Sequence, residues 1–353
     1  MSSSNSHSFY HTANPEEFLS LADDAVLFDV RSPGEFIQGH IPGAINLPLF
    51  SDDERAEVGT IYKNSGQESA VLRGLKIAGG KMSELVIQAK QAALSQSDVL
   101  VHCWRGGMRS QSMGWLLRTA GLNPTVLEGG YKSYRKYAHA VLDASYRLNV
   151  VSGLTGAGKT RILSALAKAG EQVVDLEGLA NHRGSAFGGI GQRTQPTTEQ
   201  FENNLFGQLK KLDADQPIWV EDEGNRIGTV VVPHGFYHRM RHSPAVFMDS
   251  SPARRVKNLM EDYGDLPLAE LADSINNIRK RLGPQNADEA LASLEGGNVA
   301  RAIEIVLAYY DKTYMKAANS MPRQIMPSLA IDALEDSEIA TSAIALSSDA
   351  TFV

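Results

Sequence analysis

One glycine-rich segment constrains the fold more than any other part of the chain. The segment Gly153–Thr160 reads GLTGAGKT and fits the P-loop pattern G-x-x-x-x-G-K-T in full. The apolar stretch Leu148–Ser152 before it predicts a buried strand, and Lys159–Ala169 predicts a helix directly after it. Such a loop wraps a phosphate in backbone amides, places a lysine on the outer oxygens and offers a hydroxyl to Mg²⁺. The candidate phosphate-binding residues are Gly153, Gly156, Gly158, Lys159 and Thr160.

An acidic side chain is also expected beside the P-loop. In P-loop enzymes an apolar strand commonly ends in an acid that holds Mg²⁺ near the phosphates. Ile218–Glu221 predicts such a strand and makes Asp222 the first candidate. Asp175, within the predicted strand Gln172–Leu176, is the second candidate. Ordinary acidic loop positions are the alternative for both, so no metal ligand is assigned. The glycine-rich stretch 182–191 predicts either a substrate-ordered loop or a flexible connection.

Cys103 is the only cysteine in the sequence. An intramolecular disulfide and a zinc site built from several cysteines are therefore excluded. The residue follows the predicted strand Asp98–His102 and precedes the predicted amphipathic helix Arg109–Ala120. The loop amides, the helix N-terminus and the charges of Arg105 and Arg109 all favour a thiolate over a thiol. The same surroundings suit a bound oxyanion, whereas the alternative is a buried, unreactive cysteine.

The residues around the cysteine fit two classes of enzyme. Cysteine phosphatases have His-Cys, five residues and Arg, and His102, Cys103 and Arg109 match that spacing. Upstream, the segments Phe28–Ser32 (FDVRS) and Gly39–Ala44 (GHIPGA) resemble the rhodanese domain, which carries sulfur or selenium on its cysteine. The commonest rhodanese loop is one residue shorter. The longer loop leaves room for a phosphate-sized anion, which is either a substrate to be hydrolysed or a donor such as selenophosphate.

Short apolar runs alternate with helical stretches and predict two α/β domains with parallel sheets. We expect a rhodanese-like domain at 9–135, a helical linker at 136–146 and a P-loop NTPase-like domain at 147–353 with a helical C-terminal part, Pro252–Ala318. The polar N-terminal segment is expected to be a frayed tail, and the C-terminal tail has few interpretable signals. Further elements are predicted at Ala25–Val30, Thr125–Leu127 and Ala245–Asp249 as strands and at Tyr131–Tyr146 as a helix.

The charge of the chain bears on its partners. A net charge of -7 and a pI near 5.8 argue against nucleic-acid binding through a global positive field. A local patch is still compatible, and Tyr131–Tyr137 interleaves aromatic rings with cations as base stacking requires. Arg254–Lys257 is expected to supply cations to phosphates from a lid helix. For each of the basic clusters, a solvated helix face is the alternative. The other basic clusters are Arg239–His242 and Arg279–Arg281.

The location of the protein is predicted from the lack of a membrane-spanning segment and of a secretory signal in the sequence. No apolar run approaches the roughly 18 residues that span a bilayer. The N-terminal segment also lacks the basic-then-apolar order of a secretory signal. We therefore expect a cytoplasmic protein that does not contact a membrane.

The order of these motifs, from Phe9 to about Ala318, resembles the bacterial tRNA 2-selenouridine synthases. The motifs that carry the resemblance are Asp29–Arg31, Gly39–Ala44, Trp104–Ser110, Leu127–Lys132 and Gly153–Thr160. The resemblance implies a transferase that acts on wobble 2-thiouridine in tRNAs for Lys, Glu and Gln. The thiocarbonyl sulfur would first attack geranyl diphosphate to give S-geranyl-2-thiouridine. Selenophosphate, supplied by selenophosphate synthetase, would then replace the geranylthio group with selenium.

The resemblance also implies roles for individual residues. The amides of Gly153–Gly158 and the ammonium of Lys159 would hold the diphosphate. Cys103 would handle selenium as a perselenide carrier or as a nucleophile, while Arg105 and Arg109 would bind the phosphoryl group of selenophosphate. No tightly bound cofactor is expected, and Mg²⁺ is a candidate ion. The alternatives are a dual phosphatase–kinase and a non-catalytic adapter.

Overall fold

The computed structural model describes residues 9–185, 187–318 and 328–348. It divides into two compact units, the first unit Met1–Val141 and the second unit Leu142–Val353. Each unit contains a five-stranded sheet in which the paired strands are parallel, so the predicted α/β class is confirmed for both. None of the helices in the described ranges is long and apolar enough to cross a membrane.

The first unit is a parallel sheet with the strand order β1-β5-β4-β2-β3. Its core contains Phe28 and Val101 from central strands and Met113 from a covering helix. The central strand β4 ends at the predicted cysteine loop. The elements are β1 (His11–Ala13), α1 (Pro15–Ser20), β2 (Val26–Asp29), α2 (Pro33–Gln38), β3 (Ile45–Asn46), α3 (Asp52–Gly79), α4 (Met82–Ala93), β4 (Asp98–His102), α5 (Met108–Thr119), β5 (Asn123–Leu127) and α6 (Gly130–Leu142).

The longest helix of the first unit, α3, is broken in the middle. Gly66 has φ 84° and ψ 179°, which lies outside the helical region. Nε of Arg73 lies 2.6 Å from Oε1 of Glu57, so the parts before and after Gly66 lie side by side. We call residues 52–79 the helical hairpin. No helix is predicted here from sequence, because most of these side chains are exposed and the apolar periodicity that indicates a helix is weak.

The second unit has a parallel sheet of order β12-β11-β6-β8-β7 and a separate antiparallel pair, β9 with β10. The central strand β6 leads into the P-loop. The elements are β6 (Leu148–Gly153), α7 (Lys159–Lys168), β7 (Gln172–Val174), α8 (Leu176–Ala180), α9 (Thr198–Leu209), β8 (Ile218–Glu221), β9 (Arg226–Ile227), β10 (Val230–Val231), α10 (His234–His242), β11 (Ala245–Asp249), α11 (Pro252–Tyr263), α12 (Leu268–Leu282), α13 (Pro284–Glu295), α14 (Val299–Ala318), β12 (Leu329–Ala330) and α15 (Asp336–Ser348).

Two of the predicted elements end more than one residue earlier than expected. The predicted strand Gln172–Leu176 stops at Val174, because the carboxylate of Asp175 accepts the Gly178 N–H at 2.7 Å and caps helix α8. The predicted helix Tyr131–Tyr146 is α6, which ends at Leu142, where the two units divide.

Both chain ends contain structure that the sequence analysis did not predict. The expectation that residues 1–18 form a frayed tail is wrong for residues 11–18, since β1 pairs with β5 and α1 follows it. Residues 1–8 lie outside the described ranges. In the C-terminal tail, β12 pairs with β11, and Ile339 and Ala343 of α15 belong to the core around β6 and β11. Pairing partners so distant in sequence leave little local signal.

Candidate functional sites: a cysteine loop and a P-loop

The first candidate site is the loop that holds Cys103 between β4 and α5. The side chain is buried, with 3% of its surface exposed. Its Sγ lies 3.1 Å from Oγ of Ser110, which is itself buried in the first turn of α5. A hydroxyl at this distance can donate a hydrogen bond to a thiolate and thereby stabilise the charged form. Ser110 is therefore a candidate positioning residue for the sulfur.

The turn after β5 braces the cysteine loop. The N–H of Tyr131 donates to the carbonyl of Cys103 at 2.8 Å, and the N–H of Lys132 donates to the carbonyl of Trp104 at 3.0 Å. Gly130 has a φ of 61°, and a Cβ there would overlap the carbonyl oxygen of Cys103 and the N–H of Gly106. A side chain at Gly130 would therefore push the loop away from the strand ends. The sequence marks the glycine pair of this turn only as the end of a strand, and the bracing follows from the fold.

The two predicted cations of this loop have different environments. Nη1 of Arg109 lies 2.8 Å from Oε2 of Glu35, so its charge is balanced within the unit. Burial alone would raise the pKa of Glu35, but the hydrogen bond and charge of Arg109 outweigh it and hold the pKa below its ordinary value. Arg105 is exposed. Among the hydrogen bonds of the described residues, none joins either guanidinium to the cysteine sulfur.

Residues of the rhodanese-like motif form a buried, hydrogen-bonded layer below the cysteine loop. Nη2 of Arg31 lies 2.6 Å from the Asp29 carboxylate and donates to the Gly39 carbonyl at 2.6 Å. The ring of Tyr131 packs on the Arg31 guanidinium at 3.8 Å. Burial lowers the pKa of His102 to about 4, despite the nearby Asp29 charge. His102 is therefore neutral at pH 7, and this layer has a structural role.

The aromatic-cationic cluster Tyr131–Tyr137 does not form the predicted stacking platform. The rings of Tyr131 and Tyr134 are fully buried at 0% exposure, so these two rings cannot stack on bases. They lie 5.6 Å apart and belong to the core beneath the cysteine loop. Lys132 and Lys136 are the exposed residues of this cluster. Spacing along α6 puts the tyrosines on the inner face and these lysines on the outer face.

The second candidate site is the P-loop, which joins β6 to α7 as predicted. Helix α11 supports the loop from behind: Nδ2 of Asn258 donates to the carbonyl of Gly156 at 2.8 Å. Arg255 donates to the carbonyl of Thr155 at 3.2 Å and is bidentate to Asp311 at 2.7 Å. Arg255 is thus a buried support for the loop.

The expectation that Arg254–Lys257 supplies lid cations is wrong. Arg255 is buried against Asp311, and Nη1 of Arg254 donates to the Leu334 carbonyl at 3.0 Å, which ties α11 to the C-terminal segment. The side chain of Lys257 is exposed and does not line the P-loop cavity. The guanidinium groups that line the cavity belong to Arg161, Arg183 and Arg241.

The P-loop cavity has a volume of about 600 Å³. The glycine-rich stretch, for which a substrate-ordered loop and a flexible connection were the two predictions, contributes His182, Arg183, Gly184 and Ser185 to its wall. The aromatic rings of Tyr237 and Tyr314 also face the cavity. The site therefore combines phosphate-binding amides and cations with aromatic surface, and this combination suits a ligand that carries phosphate.

Carboxylates surround the reactive end of the P-loop. Nζ of Lys159 lies 3.7 Å from Oε1 of Glu223, and Oγ1 of Thr160 donates to Oε2 of Glu177 at 2.9 Å. Burial opposes the charge on Lys159, but Glu223 and Glu177 outweigh it and raise the pKa of Lys159. Burial raises the pKa of Glu223 to about 8, although the Lys159 charge works against it. Glu177 and Glu223 were not proposed from sequence, although Glu223 belongs to the acidic run after β8.

The two acids considered for Mg²⁺ occupy different positions. Asp222 lies beside the P-loop, where its Oδ2 accepts hydrogen bonds from Ser152 at 2.7 Å and Tyr314 at 3.1 Å. Asp175 is the N-cap of α8, although it also lies at the cavity edge. Over the described residues, no group of three or more His, Cys, Asp or Glu side chains is arranged to hold a metal ion. Asp222 is thus the better placed of the two to meet a ligand in the cavity.

Fold and sites together define a rhodanese-like domain with a buried cysteine loop, followed by a P-loop domain. Family models agree: a rhodanese-like domain matches residues 14–137, and the tRNA 2-selenouridine synthase AAA domain matches residues 146–337. The chain belongs to the tRNA 2-selenouridine synthase family.

Curated relatives support the same assignment. A tRNA 2-selenouridine synthase of Bdellovibrio bacteriovorus is 35% identical over 350 residues, which cover 85% of this chain and 91% of the relative. The Nitrosomonas europaea synthase is 40% identical over 247 residues, and the match covers 68% of this chain but only 64% of that relative. Among solved structures, which carry no part of this assignment, the match to a rhodanese-related protein from Thermoplasma volcanium is 22% identical and covers 36% of this chain and 93% of that protein, with a TM-score of 0.23.

Proposed function

We propose that this protein converts wobble 2-thiouridine in tRNA to 2-selenouridine through S-geranyl-2-thiouridine, with geranyl diphosphate and selenophosphate as substrates. The observation that carries the proposal is the presence, in one chain of this family, of a buried cysteine between a strand and a helix and of a complete P-loop. The same proposal has three further parts. The substrate base is wobble 2-thiouridine of the tRNAs for Lys, Glu and Gln, selenophosphate synthetase supplies the selenophosphate, and the protein is cytoplasmic.

In the first step, the sulfur of 2-thiouridine forms a bond to C1 of the geranyl group. The bond from that carbon to the diphosphate oxygen breaks, diphosphate leaves, and the base loses its N3 proton. The leaving group gains negative charge as the bond breaks. The P-loop amides, the ammonium of Lys159 and the guanidinium groups of Arg161 and Arg241 lie in the cavity where that charge would develop. Their role is electrostatic stabilisation of the leaving group.

In the second step, the selenium of selenophosphate forms a bond to C2 of the base, and geranylthiolate leaves. The phosphorus–selenium bond must then break, with transfer of the phosphoryl group to a nucleophile and finally to water. Charging Cys103 with selenium as a perselenide would require a two-electron oxidant. A role as nucleophile needs no oxidant. The Cys103 thiolate accepts the phosphoryl group and 2-selenouridine leaves. Water then hydrolyses the phosphorylated cysteine and releases phosphate. Arg105 and Arg109 would hold the phosphoryl oxygens.

The test is to measure the two steps separately with purified full-length protein and 2-thiouridine tRNA. Cys103→Ala is expected to abolish selenation while geranylation stays measurable; equal loss of both would contradict the division of labour. Lys159→Ala is expected to slow geranylation first, and an unchanged geranylation rate would remove the P-loop from that step. Cys103-dependent hydrolysis of a generic aryl phosphate, without nucleoside product, would instead favour the phosphatase–kinase alternative.

Binding of tRNA has to rely on local basic surface because the net charge is -7. Lys132 and Lys136 are exposed and suit contacts to phosphates. Affinity for tRNA should then fall with rising salt, with a slope that corresponds to a handful of phosphate contacts. A flat response to salt would contradict this part of the proposal.

A further inference from the structure

An apolar groove lies beside the cysteine loop in the first unit. It has a volume of about 1090 Å³ and runs between the helical hairpin (52–79) and the start of α5. Phe50, Ala70 and Met113 are buried side chains of its wall. Val71 and Leu75 line it from the hairpin. An open apolar cavity of this size in a folded domain is typical of a site for an organic ligand.

The charged residues of the groove have one sign. Arg55, Lys63, Arg105 and Arg109 line it, and none of its lining residues is acidic. Glu35, which lies outside the lining, pairs with Arg109 at 2.8 Å and with Arg55 at 3.8 Å. Lys63 and Arg105 make no ion pair with the described residues. The groove therefore matches a ligand with an apolar chain and nearby negative charge.

The groove and the cysteine loop share residues. Arg105 lies in the segment that connects Cys103 to α5, Met108 is the first residue of α5, and both also line the groove. A ligand seated in the groove would therefore have one end at the loop that holds the sulfur. The apolar part would lie along the hairpin, where Val71 and Leu75 provide aliphatic contact.

We propose that this groove binds the ten-carbon prenyl chain of S-geranyl-2-thiouridine while the base is presented to the cysteine loop. This inference rests on the proposed function, because it needs an S-geranyl intermediate. Lys63 contacts a tRNA phosphate next to the modified base. Removal of the prenyl chain from water then supplies binding energy that a 2-thiouridine lacking the chain does not have, so the groove selects the alkylated base for selenation.

The experiment measures binding of the full-length protein to two synthetic anticodon stem-loops, one with S-geranyl-2-thiouridine and one with S-methyl-2-thiouridine. The wild type is expected to bind the geranyl form more tightly by at least about tenfold, since several carbon atoms leave water. Val71→Trp fills the groove and should remove most of that preference. Leu72→Trp is the matched control: Leu72 is 62% exposed and does not line the groove, so this variant should keep the preference.

Leu75→Glu is a second test that adds a charge without filling the groove, and it applies if Val71→Trp does not fold. It too should reduce the preference for the geranyl form. Equal wild-type affinity for both stem-loops would overturn the proposal, as would an equal loss of preference in Leu72→Trp. A wild-type dimer that Val71→Trp converts to a monomer would also overturn it, because a second copy would then occupy the groove.

The synthetic stem-loops keep this test separate from the proposed function. The geranyl group is already attached, so the binding preference does not depend on whether the enzyme makes the intermediate. A wild type that shows the preference but forms no S-geranyl product from geranyl diphosphate would refute the first catalytic step and support the groove. A wild type that forms the product but shows no preference would refute the groove and leave the catalytic proposal standing.

Discussion

Nη1 of Arg109 lies 2.8 Å from Oε2 of Glu35, and this pair links the end of the cysteine loop to helix α2. The glutamate is 15% exposed at its side chain and also accepts the N–H of Ser32, so it is held in place by its own helix. Arg109 is therefore positioned by a residue that comes 74 positions earlier in the chain. Such a support orients a guanidinium at low entropic cost when a phosphoryl group arrives.

Glu35→Gln should lower selenation while geranylation is unchanged. The neutral amide keeps the size of the side chain but loses the charge that orients Arg109, and we expect a loss of about tenfold, as for one charge-assisted hydrogen bond. The measurement is the rate of 2-selenouridine formation from S-geranyl tRNA. Glu304→Gln is the control, because it removes an exposed carboxylate that pairs with Arg301 within α14. Equal losses in both variants would contradict the positioning role.

Ser110→Ala should weaken the reactivity of Cys103 without a change of fold. The hydroxyl lies 3.1 Å from Sγ, and its loss removes one hydrogen bond that a thiolate would accept, worth about tenfold in rate. The measurement is the rate of alkylation by iodoacetamide at pH 7. Thr119→Ala removes a hydroxyl at the other end of the same helix and should leave this rate as in the wild type. A wild-type rate for Ser110→Ala would refute the assignment.

Gly130→Ala should destabilise the first unit more than a comparable substitution at Gly121. Both glycines have positive φ, 61° and 90°, so both substitutions carry backbone strain of about 1 kcal/mol. Only the Cβ at Gly130 would also overlap the backbone of the cysteine loop, whereas a Cβ at Gly121 meets nothing within 4 Å. We expect an additional loss of about 2 kcal/mol for Gly130→Ala. Urea unfolding monitored by Trp fluorescence measures the free energy of unfolding of each variant. Equal losses of this free energy in the two variants would show that the cysteine loop can move away from the added Cβ without cost.

Binding of inorganic diphosphate should weaken as the pH rises through about 8. Burial raises the pKa of Glu223 to about 8, so its side chain is mostly neutral at pH 7 and becomes a carboxylate at pH 9. The new negative charge beside Lys159 would repel the anion. Calorimetric titration with inorganic diphosphate measures the affinity of the wild type and of Glu223→Gln at pH 7 and at pH 9. The variant should show the smaller decrease, and an identical pH dependence in both proteins would exclude Glu223 as the cause.

Local sequence was sufficient for the strand–loop–helix units that carry the two sites. β4, β8 and β11 have the predicted bounds, because short apolar runs flanked by loop signals indicate buried parallel strands. The P-loop between β6 and α7 was equally clear, since its glycines and Lys159 perform their role within one continuous segment. Cys103 was also identified locally, from its place between a strand and a helix.

The partners of these residues were decided by tertiary structure alone. Glu35 reaches Arg109 and Glu177 reaches Thr160 only because parallel strands place distant loops at one edge of the sheet. The same limitation explains the incorrect expectations for Tyr131–Tyr137 and Arg254–Lys257, whose composition suggested exposed binding surfaces. Sequence determined which groups can perform the chemistry; packing determined which side chains are buried, paired or exposed, because burial depends on elements far away in the chain.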